Sequence, residues 1–297
     1  MKYYVFLTLT VFFWSGNFVF GRLISTEVEP VQLAFFRWFF VSLILLPYFI
    51  YRFNHIMKVL KKEYLLILMF SIIGISAFNT VLYYGLQTTT ATNALLINSS
   101  IPIIIIVLSS IMLNTKITKL QSIGITLSTL GVVFLILKGK LENIITLEFT
   151  SGDLWVILAC ILWAFYTVLL KFKPKELNAF DFLSLTVIIG MIILSFVFIF
   201  LGYSFELSFL EKDEVLFSLI YIVVFPSLIS FYFWNMSIIE LSANKAGQFT
   251  HLMPIFGAIL AYFFLGERLE IYHLIGILLI GIGIYLSIFL KKGMNEF

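Results

Sequence analysis

Arg37 carries the clearest chemical signal in this sequence, because its charge lies well inside an apolar stretch, residues 31–51. In a helix it would sit roughly six residues, or ~9 Å, from the start of that stretch. Placing an arginine within a membrane span costs on the order of 2.5–3.5 kcal/mol, so a partner is expected. The guanidinium fork can bind a carboxylate through two hydrogen bonds, and we predict that Arg37 binds the carboxylate of an amino-acid-like substrate. The alternative is a structural anchor to the membrane interface or to backbone carbonyls at a broken helix.

Polar and aromatic residues recur at helical spacing in four other apolar stretches, where they would form one face of each helix. These faces should point into the helix bundle, since polar side chains are costly in lipid. They could line a pathway for a substrate, or they could bond neighbouring helices and their own backbone. Tryptophans on these faces could form a stacking wall for an amphiphilic metabolite, or they could pack in the core. The candidate substrate-binding residues on these faces are Trp14, Asn17, Asn79, Tyr83, Trp163, Tyr166, Gln248 and His251.

Two prolines, Pro102 and Pro254, interrupt apolar stretches. Each proline ring frees the carbonyl of the residue four positions earlier, Asn98 and Thr250 respectively. Transporters use carbonyls and polar side chains at such breaks for binding, which makes Asn98 the tenth candidate site residue, after Arg37 and the eight above. His251 could relay a proton, because the ordinary pKa of histidine is about 6.5. Alternatively, it is a neutral hydrogen-bonding residue of a cavity wall.

The elements that position these residues must be membrane-spanning helices. Of the 297 residues, 61% are hydrophobic and 12% are charged, against roughly 45–50% and about 25% in soluble domains. Crossing about 30 Å of hydrocarbon takes about 20 helical residues, and ten stretches reach that length. We therefore predict an all-α integral membrane protein with ten transmembrane helices, in which Asp181 and Glu240 lie near span ends in contact with water. The predicted spans are residues 3–23, 31–51, 64–86, 91–113, 118–138, 151–171, 180–201, 215–239, 244–265 and 270–290.

The second half of the sequence repeats the first. Residues 243–292 match residues 91–140 without a gap, and prolines and glycines in register are harder to attribute to apolar composition than leucines would be. Glycines of the fifth and tenth spans, including Gly281, also predict close helix packing. The matched pairs are Gly74 and Pro226, Pro102 and Pro254, Gly124 and Gly276, and Gly131 and Gly283 at an offset of 152 residues, and Trp14 and Trp163, Asn17 and Tyr166, and Arg22 and Lys171 at an offset of 149.

Each half contains five predicted spans, and an odd number makes the two halves cross the membrane in opposite directions. We therefore predict two inverted five-helix repeats, residues 1–140 and residues 151–292. Inverted repeats are a recurring plan in secondary transporters, where a site at the repeat interface can be exposed to either side.

The distribution of basic residues predicts an orientation. With ten spans, 13 of the 19 lysines and arginines fall on the side of the N-terminus, which predicts that both termini are cytoplasmic in a cell membrane. The net charge of +3 is small and the basic residues are scattered, so no nucleic-acid partner is expected. The expected partners are a small-molecule substrate and membrane lipid, and a homodimer is possible.

Four segments carry a resemblance to a known family. They are FWSGNFVFGR (13–22), LAFFRW (33–38), ATNALLINSSIPI (91–103) and ANKAGQFTHLMPIFGAILAYFFLGERL (243–269), the last of which closes on Gly-Glu-Arg. With them the chain resembles the EamA-type ten-helix permeases of the drug/metabolite transporter (DMT) superfamily. The first repeat departs from this pattern, since Asn114, Thr115 and Lys116 stand where the second has Gly-Glu-Arg.

The resemblance implies a secondary transporter that exports small metabolites or amino acids by alternating access. The alternatives are an importer or facilitator of another polar metabolite, and a non-transporting membrane interaction protein. The sequence contains no Walker loop, HExxH motif or Cys/His cluster, so we expect no enzyme activity, cofactor or metal site.

Overall fold

The computed structural model describes residues 1–145, 148–265 and 270–288 of the chain. These residues form α-helices joined by short π-helical, 3-10 and turn segments and contain no β-strand, as the all-α prediction requires. The Gly-Glu-Arg corner and the end of the predicted unit 151–292 lie outside them. The helices are α1 (Lys2–Leu23), α2 (Pro30–Tyr51), α3 (Phe53–Phe70), α4 (Phe78–Thr88), α5 (Ala91–Asn98), α6 (Ile101–Leu113), α7 (Lys119–Ile136), α8 (Ser151–Leu169), α9 (Ala179–Phe200), α10 (Asp213–Ile222), α11 (Ser230–Leu241), α12 (Ala243–Gln248), α13 (Met253–Leu265) and α14 (Ile271–Ile288).

Nine helical stretches among the described residues are long and apolar enough to cross a membrane, which makes this a multi-pass membrane protein. They are α1, α2, α3 with α4, α5 with α6, α7, α8, α9, α10 with α11, and α14. The remaining predicted span, 244–265, is divided among α12, a 3-10 turn (Phe249–Leu252) and α13. The count of ten spans therefore stays a prediction.

The division of that span has a physical cause at Pro254, whose ring removes a backbone donor and clashes with the preceding turn. The first half is interrupted in the same way, because α5 ends at Asn98 and α6 begins at Ile101, one residue before Pro102. Both interruptions expected from the prolines are present. They leave backbone polar groups near the middle of the bundle.

Helix boundaries recur along the chain at the two offsets seen in the sequence. The ends of α2 and α9 are 149 residues apart, and those of α7 and α14 are 152 residues apart. A π-helical turn also recurs at that second offset, at Ser71–Ala77 and at Val223–Ile229. A π-turn inserts one extra residue into a helix and is rare, so its recurrence is a more specific sign of duplication than apolar composition.

Helices α7 and α14 pack backbone against backbone at two glycines. A Cβ atom on Gly124 would lie 2.4 Å from the carbonyl oxygen of Gly283, and one on Gly283 would lie 2.5 Å from that of Gly124. Small residues allow this close approach between membrane helices. The packing prediction is wrong for Gly281, where no described atom lies within 4 Å of the Cβ position.

Ion pairs at both ends of the bundle join the first half to the second. At one end, Arg52 binds both carboxylate oxygens of Asp181, at 3.1 and 3.2 Å, and the Tyr48 hydroxyl donates to the same carboxylate at 3.0 Å. At the other end, Lys212 pairs with Glu27. We call these the Asp181 end and the Glu27 end. The expectation that Asp181 contacts water is wrong, because its side chain is fully buried against these partners.

Candidate substrate cavity

A small cavity with about 20 Å³ of free space, enough for about one water molecule, lies between the two halves, near the middle of the long helices. Residues of both interrupted spans contribute to its wall, together with α1, α2, α4 and α8. Six of the ten predicted site residues line it: Trp14, Asn17, Arg37, Asn79, Asn98 and Trp163. Polar or aromatic faces of α1, α4 and α8 therefore meet at one cavity together with Arg37.

Arg37 is held in the cavity wall by side chains from two other helices. Its Nη1 donates to the hydroxyl oxygen of Tyr83 at 2.7 Å and to Oδ1 of Asn17 at 3.2 Å. The Tyr83 hydroxyl donates in turn to the same Asn17 oxygen, at 3.1 Å. The guanidinium carbon lies 5.1 Å from the ring centre of Trp38, within range of a cation–π interaction. Arg37 is only 1% exposed, so neutral partners hold its charge away from water.

Two buried N–H donors of the cavity wall lack an acceptor among the described residues. They are Nε of Arg37 and Nδ2 of Asn79. A buried donor without a partner costs about 1–3 kcal/mol, which an acceptor on a ligand would recover. Asn98 has only a soft acceptor, since its Nδ2 lies 3.1 Å from the sulfur of Met253. These donors make the wall complementary to oxygen acceptors such as those of a carboxylate.

The apolar part of the cavity wall is formed by aromatic side chains. Trp14 and Trp163 meet edge to face with ring centres 4.9 Å apart, and Phe78 lies 4.7 Å from Trp163. The indole Nε1 of Trp14 donates to the carbonyl oxygen of Pro226 at 3.0 Å, inside the second π-turn. This bond fixes the orientation of the ring. The cavity thus combines a rigid apolar surface with a few polar donors, as small-molecule sites commonly do.

Three other predicted site residues lie outside this lining. Tyr83 is directly behind it, bonded to Arg37 and Asn17. Tyr166 instead donates its hydroxyl to Oδ1 of Asn235 at 2.9 Å, and Gln248 is buried in α12. Helical spacing did not indicate which neighbour each of these side chains meets.

His251, the fourth predicted residue outside the lining, joins the two interrupted spans. Its Nε2 lies 2.9 Å from the carbonyl oxygen of Ser99, and its Nδ1 lies 2.7 Å from the hydroxyl of Ser128. A carbonyl can only accept, so Nε2 carries a hydrogen, and the Ser128 hydroxyl can donate to Nδ1. Because both ring nitrogens are engaged, this geometry suits the neutral hydrogen-bonding alternative.

Six further residues line the cavity that were not singled out as site residues in the sequence: Phe18, Phe78, Leu82, Ile101, Thr250 and Met253. Thr250 and Met253 flank the break before Pro254, and that break is the signal that could have identified them. The apolar residues carry no such signal in a chain that is 61% hydrophobic.

A larger cavity of about 870 Å³ opens at the Asp181 end, and we call it the vestibule. Helix α8 contributes Trp163 to the central cavity, and the 3-10 turn that continues it contributes Leu170, about two turns further on, to the vestibule. The two spaces therefore follow one another along the same helix. Lysines enter the vestibule wall from the loop after α8, and burial lowers the pKa of one of them, Lys173. The wall consists of Leu113, Thr115, Leu170, Lys171, Lys173, Lys175, Leu177, Asn178, Ala179, Met236, Ile238, Ile239, Glu240, Leu241, Ser242 and Ala243.

Long apolar helices define a multi-pass membrane protein, and its partly polar central cavity lies where the two halves meet. The chain belongs to the EamA-like transporter family, whose sequence model matches residues 1–137 and again residues 150–289. The resemblance to EamA-type permeases is thereby confirmed.

Relatives along nearly the whole chain carry transporter names. The chain is 27% identical over 284 residues to the uncharacterized transporter YyaM of Bacillus subtilis, covering 96% of this chain and 92% of YyaM. It is 26% identical over 291 residues to an uncharacterized transporter of Archaeoglobus fulgidus, covering 96% and 97%. These names and the family indicate a transporter, which is not an enzyme class.

The fold also occurs in a solved structure. A protein crystal structure 14% identical in sequence superposes with a TM-score of 0.76, over 97% of this chain and 96% of that one. At that level of identity the comparison concerns the fold alone.

Proposed function

We propose that this protein is a secondary transporter that exports a small metabolite or amino acid bearing a carboxylate. The observation that carries the proposal is the central cavity, where donors of Arg37 and Asn79 have no acceptor among the described residues and lie beside the Trp14 and Trp163 rings. A carboxylate would satisfy those donors. The tryptophan rings would hold the remainder of an amino acid or an amphiphilic metabolite.

The proposed mechanism is alternating access between two inverted five-helix repeats, residues 1–140 and 151–292. The recurring helix boundaries and π-turns support this arrangement, as does the repeated family match. In it, the divided span 244–265 is the ninth of ten crossings. Rocking one repeat against the other would expose the cavity to each side in turn.

The proposed direction, export, rests on the resemblance to the EamA-type permeases, and the proposed orientation is compatible with it. With both termini in the cytoplasm of a cell and the protein in its plasma membrane, the vestibule faces the cytoplasm. The lysines of its wall agree with the excess of basic residues on cytoplasmic sides. The vestibule is then the entrance for a substrate made in the cell.

Ligand-dependent thermal unfolding tests the site. A ligand that binds only the folded state raises its stability as the ligand concentration exceeds the Kd. We expect a carboxylate-bearing amino acid or metabolite to raise the unfolding midpoint of the purified parent and of Lys212→Gln, which removes a charge outside the cavity. The same ligand should leave the midpoint of Arg37→Gln unchanged. Equal shifts in the parent and in Arg37→Gln, or shifts only with ligands lacking a carboxylate, would contradict a carboxylate site at Arg37.

Flux measurements in sealed vesicles separate the alternatives. An exporter in the proposed orientation moves the stabilising ligand from the cytoplasmic side of the membrane to the outer side. An importer or facilitator moves it inward or in both directions. A non-transporting interaction protein shows no saturable flux of any ligand.

A further inference from the structure

Arg22 fastens the end of α1 to the end of α4. Its Nη1 donates to the carbonyl oxygens of Leu86 and Gln87, at 2.5 and 3.0 Å. These carbonyls belong to the last turn of α4, which ends at Thr88. The last carbonyls of a helix lack partners within it and carry a negative partial charge, which a cation stabilises. Arg22 therefore closes the Glu27 end between these two helices.

Lys171 occupies the corresponding position of the second half, 149 residues after Arg22. It lies in a 3-10 turn, Leu170–Phe172, that continues α8, as Arg22 lies in the last turn of α1. The two cations are at opposite ends of the bundle. Lys171 lines the vestibule at the Asp181 end, beside Asn178.

The carbonyls that Arg22 binds also have counterparts. The residues 152 positions after Leu86 and Gln87 are Ile238 and Ile239, near the C-terminal end of α11. Both line the vestibule together with Lys171. The cation and the two carbonyls are thus repeated in register, and the Ile238 carbonyl, which accepts the backbone N–H of Ser242, keeps a second lone pair for another donor.

Arg22 and Lys171 differ in one respect. Arg22 donates hydrogen bonds to described residues, whereas Lys171 donates none to them. Lys171 is exposed and forms no hydrogen bond or ion pair with any described residue. The 3-10 turn that carries it lies beside α11, and its side chain extends four carbons to an ammonium group. That ammonium has three donors, enough for both α11 carbonyls.

We propose that Arg22 and Lys171 are alternating clamps. Lys171 binds the carbonyls of Ile238 and Ile239 when the vestibule closes, and Arg22 releases α4 when the Glu27 end opens. The inference rests on the proposed alternating access and adds the residues that hold each end shut.

Thiol labelling at matched positions tests this inference. The single cysteine, Cys160, is replaced by alanine, and Leu86→Cys or Ile239→Cys supplies one reporter at each end. Reaction rates with a water-soluble maleimide are measured on the purified protein without substrate. Leu86 is fully buried, so its reporter reacts only when the Glu27 end opens, whereas Ile239 lines the open vestibule and is 48% exposed.

Lys171→Gln is the easier variant to interpret, because Lys171 forms no hydrogen bond or ion pair with a described residue that the substitution would break. It removes the clamp of the vestibule-closed state, so labelling of Leu86→Cys should fall about tenfold, as the loss of a charged hydrogen bond implies. Lys171→Arg should restore the parent rate. Lys175→Gln removes a charge from the same vestibule outside the repeat register and should change neither rate.

Arg22→Gln should act in the reciprocal direction, raising the rate of Leu86→Cys about tenfold and lowering that of Ile239→Cys. If Arg22 only stabilised the fold, Arg22→Gln would raise both labelling rates together through partial unfolding. The inference is overturned if both labelling rates rise together in Arg22→Gln. It is also overturned if Lys171→Gln leaves both rates unchanged, as Lys175→Gln should.

Flux in vesicles separates this inference from the proposed function. Saturable flux in the parent without reciprocal labelling overturns the clamps and leaves transport standing. Reciprocal labelling without flux of any ligand supports the clamps and contradicts transport.

Discussion

At the residue scale, Arg37 is a cation in an apolar span that is not paired with any acid among the described residues. Its hydroxyl and amide acceptors belong to Tyr83 and Asn17, and Trp38 contributes its ring face. Neutral partners leave the net positive charge in the wall uncompensated. An anionic substrate group would gain from that charge, which an internal carboxylate would have cancelled.

Tyr83→Phe should destabilise the protein by about 1–3 kcal/mol, because it removes an acceptor of the buried Arg37 guanidinium and a donor to Asn17. Equilibrium unfolding in detergent micelles measures the change. Tyr84→Phe is the matched control, since no described residue bonds its hydroxyl, and it should stay within about 0.5 kcal/mol of the parent. Equal effects of the two substitutions would contradict the role of Tyr83.

His251→Gln should lower stability by about 1–3 kcal/mol, because glutamine cannot reach both Ser99 and Ser128 in the imidazole geometry. The pH dependence of flux between about pH 5.5 and 8 should remain that of the parent, as expected for a neutral histidine. A variant whose flux loses its pH dependence would instead support the proton-relay alternative.

The sequence identified the site residues whose chemistry contrasts with their surroundings. Arg37 was conspicuous because it is a charge in an apolar stretch, and Asn79 and Trp163 because they lie on polar or aromatic helical faces. The bond between Arg37 and Tyr83 could not be predicted, since it depends on how α2 and α4 are packed. Asp181 was misread for the same reason, because its burial depends on an arginine from the other half.

At the element scale, the proline positions predicted both helix interruptions, whereas the glycines predicted the packing of α7 and α14 only in part. Gly281 and Gly283 lie in the same helix and look alike in sequence, but only Gly283 meets α7. The face of a uniformly apolar helix that meets a neighbour is set by the fold. Apolar periodicity cannot reveal it when lipid covers the other faces.

Gly283→Ala should destabilise the protein by about 1–3 kcal/mol, because its methyl group would meet the Gly124 carbonyl and force α14 away from α7. Gly281→Ala, in the same helix but facing open space, should be neutral or stabilising by up to about 1 kcal/mol. Unfolding midpoints of the two variants provide the comparison. A Gly283→Ala variant as stable as Gly281→Ala would refute the close packing.

At the scale of the whole molecule, the halves are joined by ion pairs of unequal strength. Asp181 is fully buried and its partner Arg52 is 35% exposed, whereas Lys212 and Glu27 are 61% and 41% exposed. Exposed pairs contribute about 0–1 kcal/mol. The Asp181 pair is therefore the stronger connection between the halves.

Arg52→Gln should destabilise the protein more than Lys212→Gln does, because it leaves the buried Asp181 carboxylate without its cation. Asp181→Asn in the Arg52→Gln background should recover part of the loss, since it removes the uncompensated buried charge. Lys212→Gln, the control at the other end, should cost less than about 1 kcal/mol. Similar losses for Arg52→Gln and Lys212→Gln would show that burial of Asp181 adds nothing.

The paired π-turns also bear on the history of the chain. They occupy the same register of both halves although glycine stands at position 74 and proline at position 226, so the geometry has outlasted the residue identity. Two independent insertions at one register are a less economical explanation than a single insertion in a five-helix ancestor. The extra residue was then gained before the gene duplicated, and both copies have kept it since.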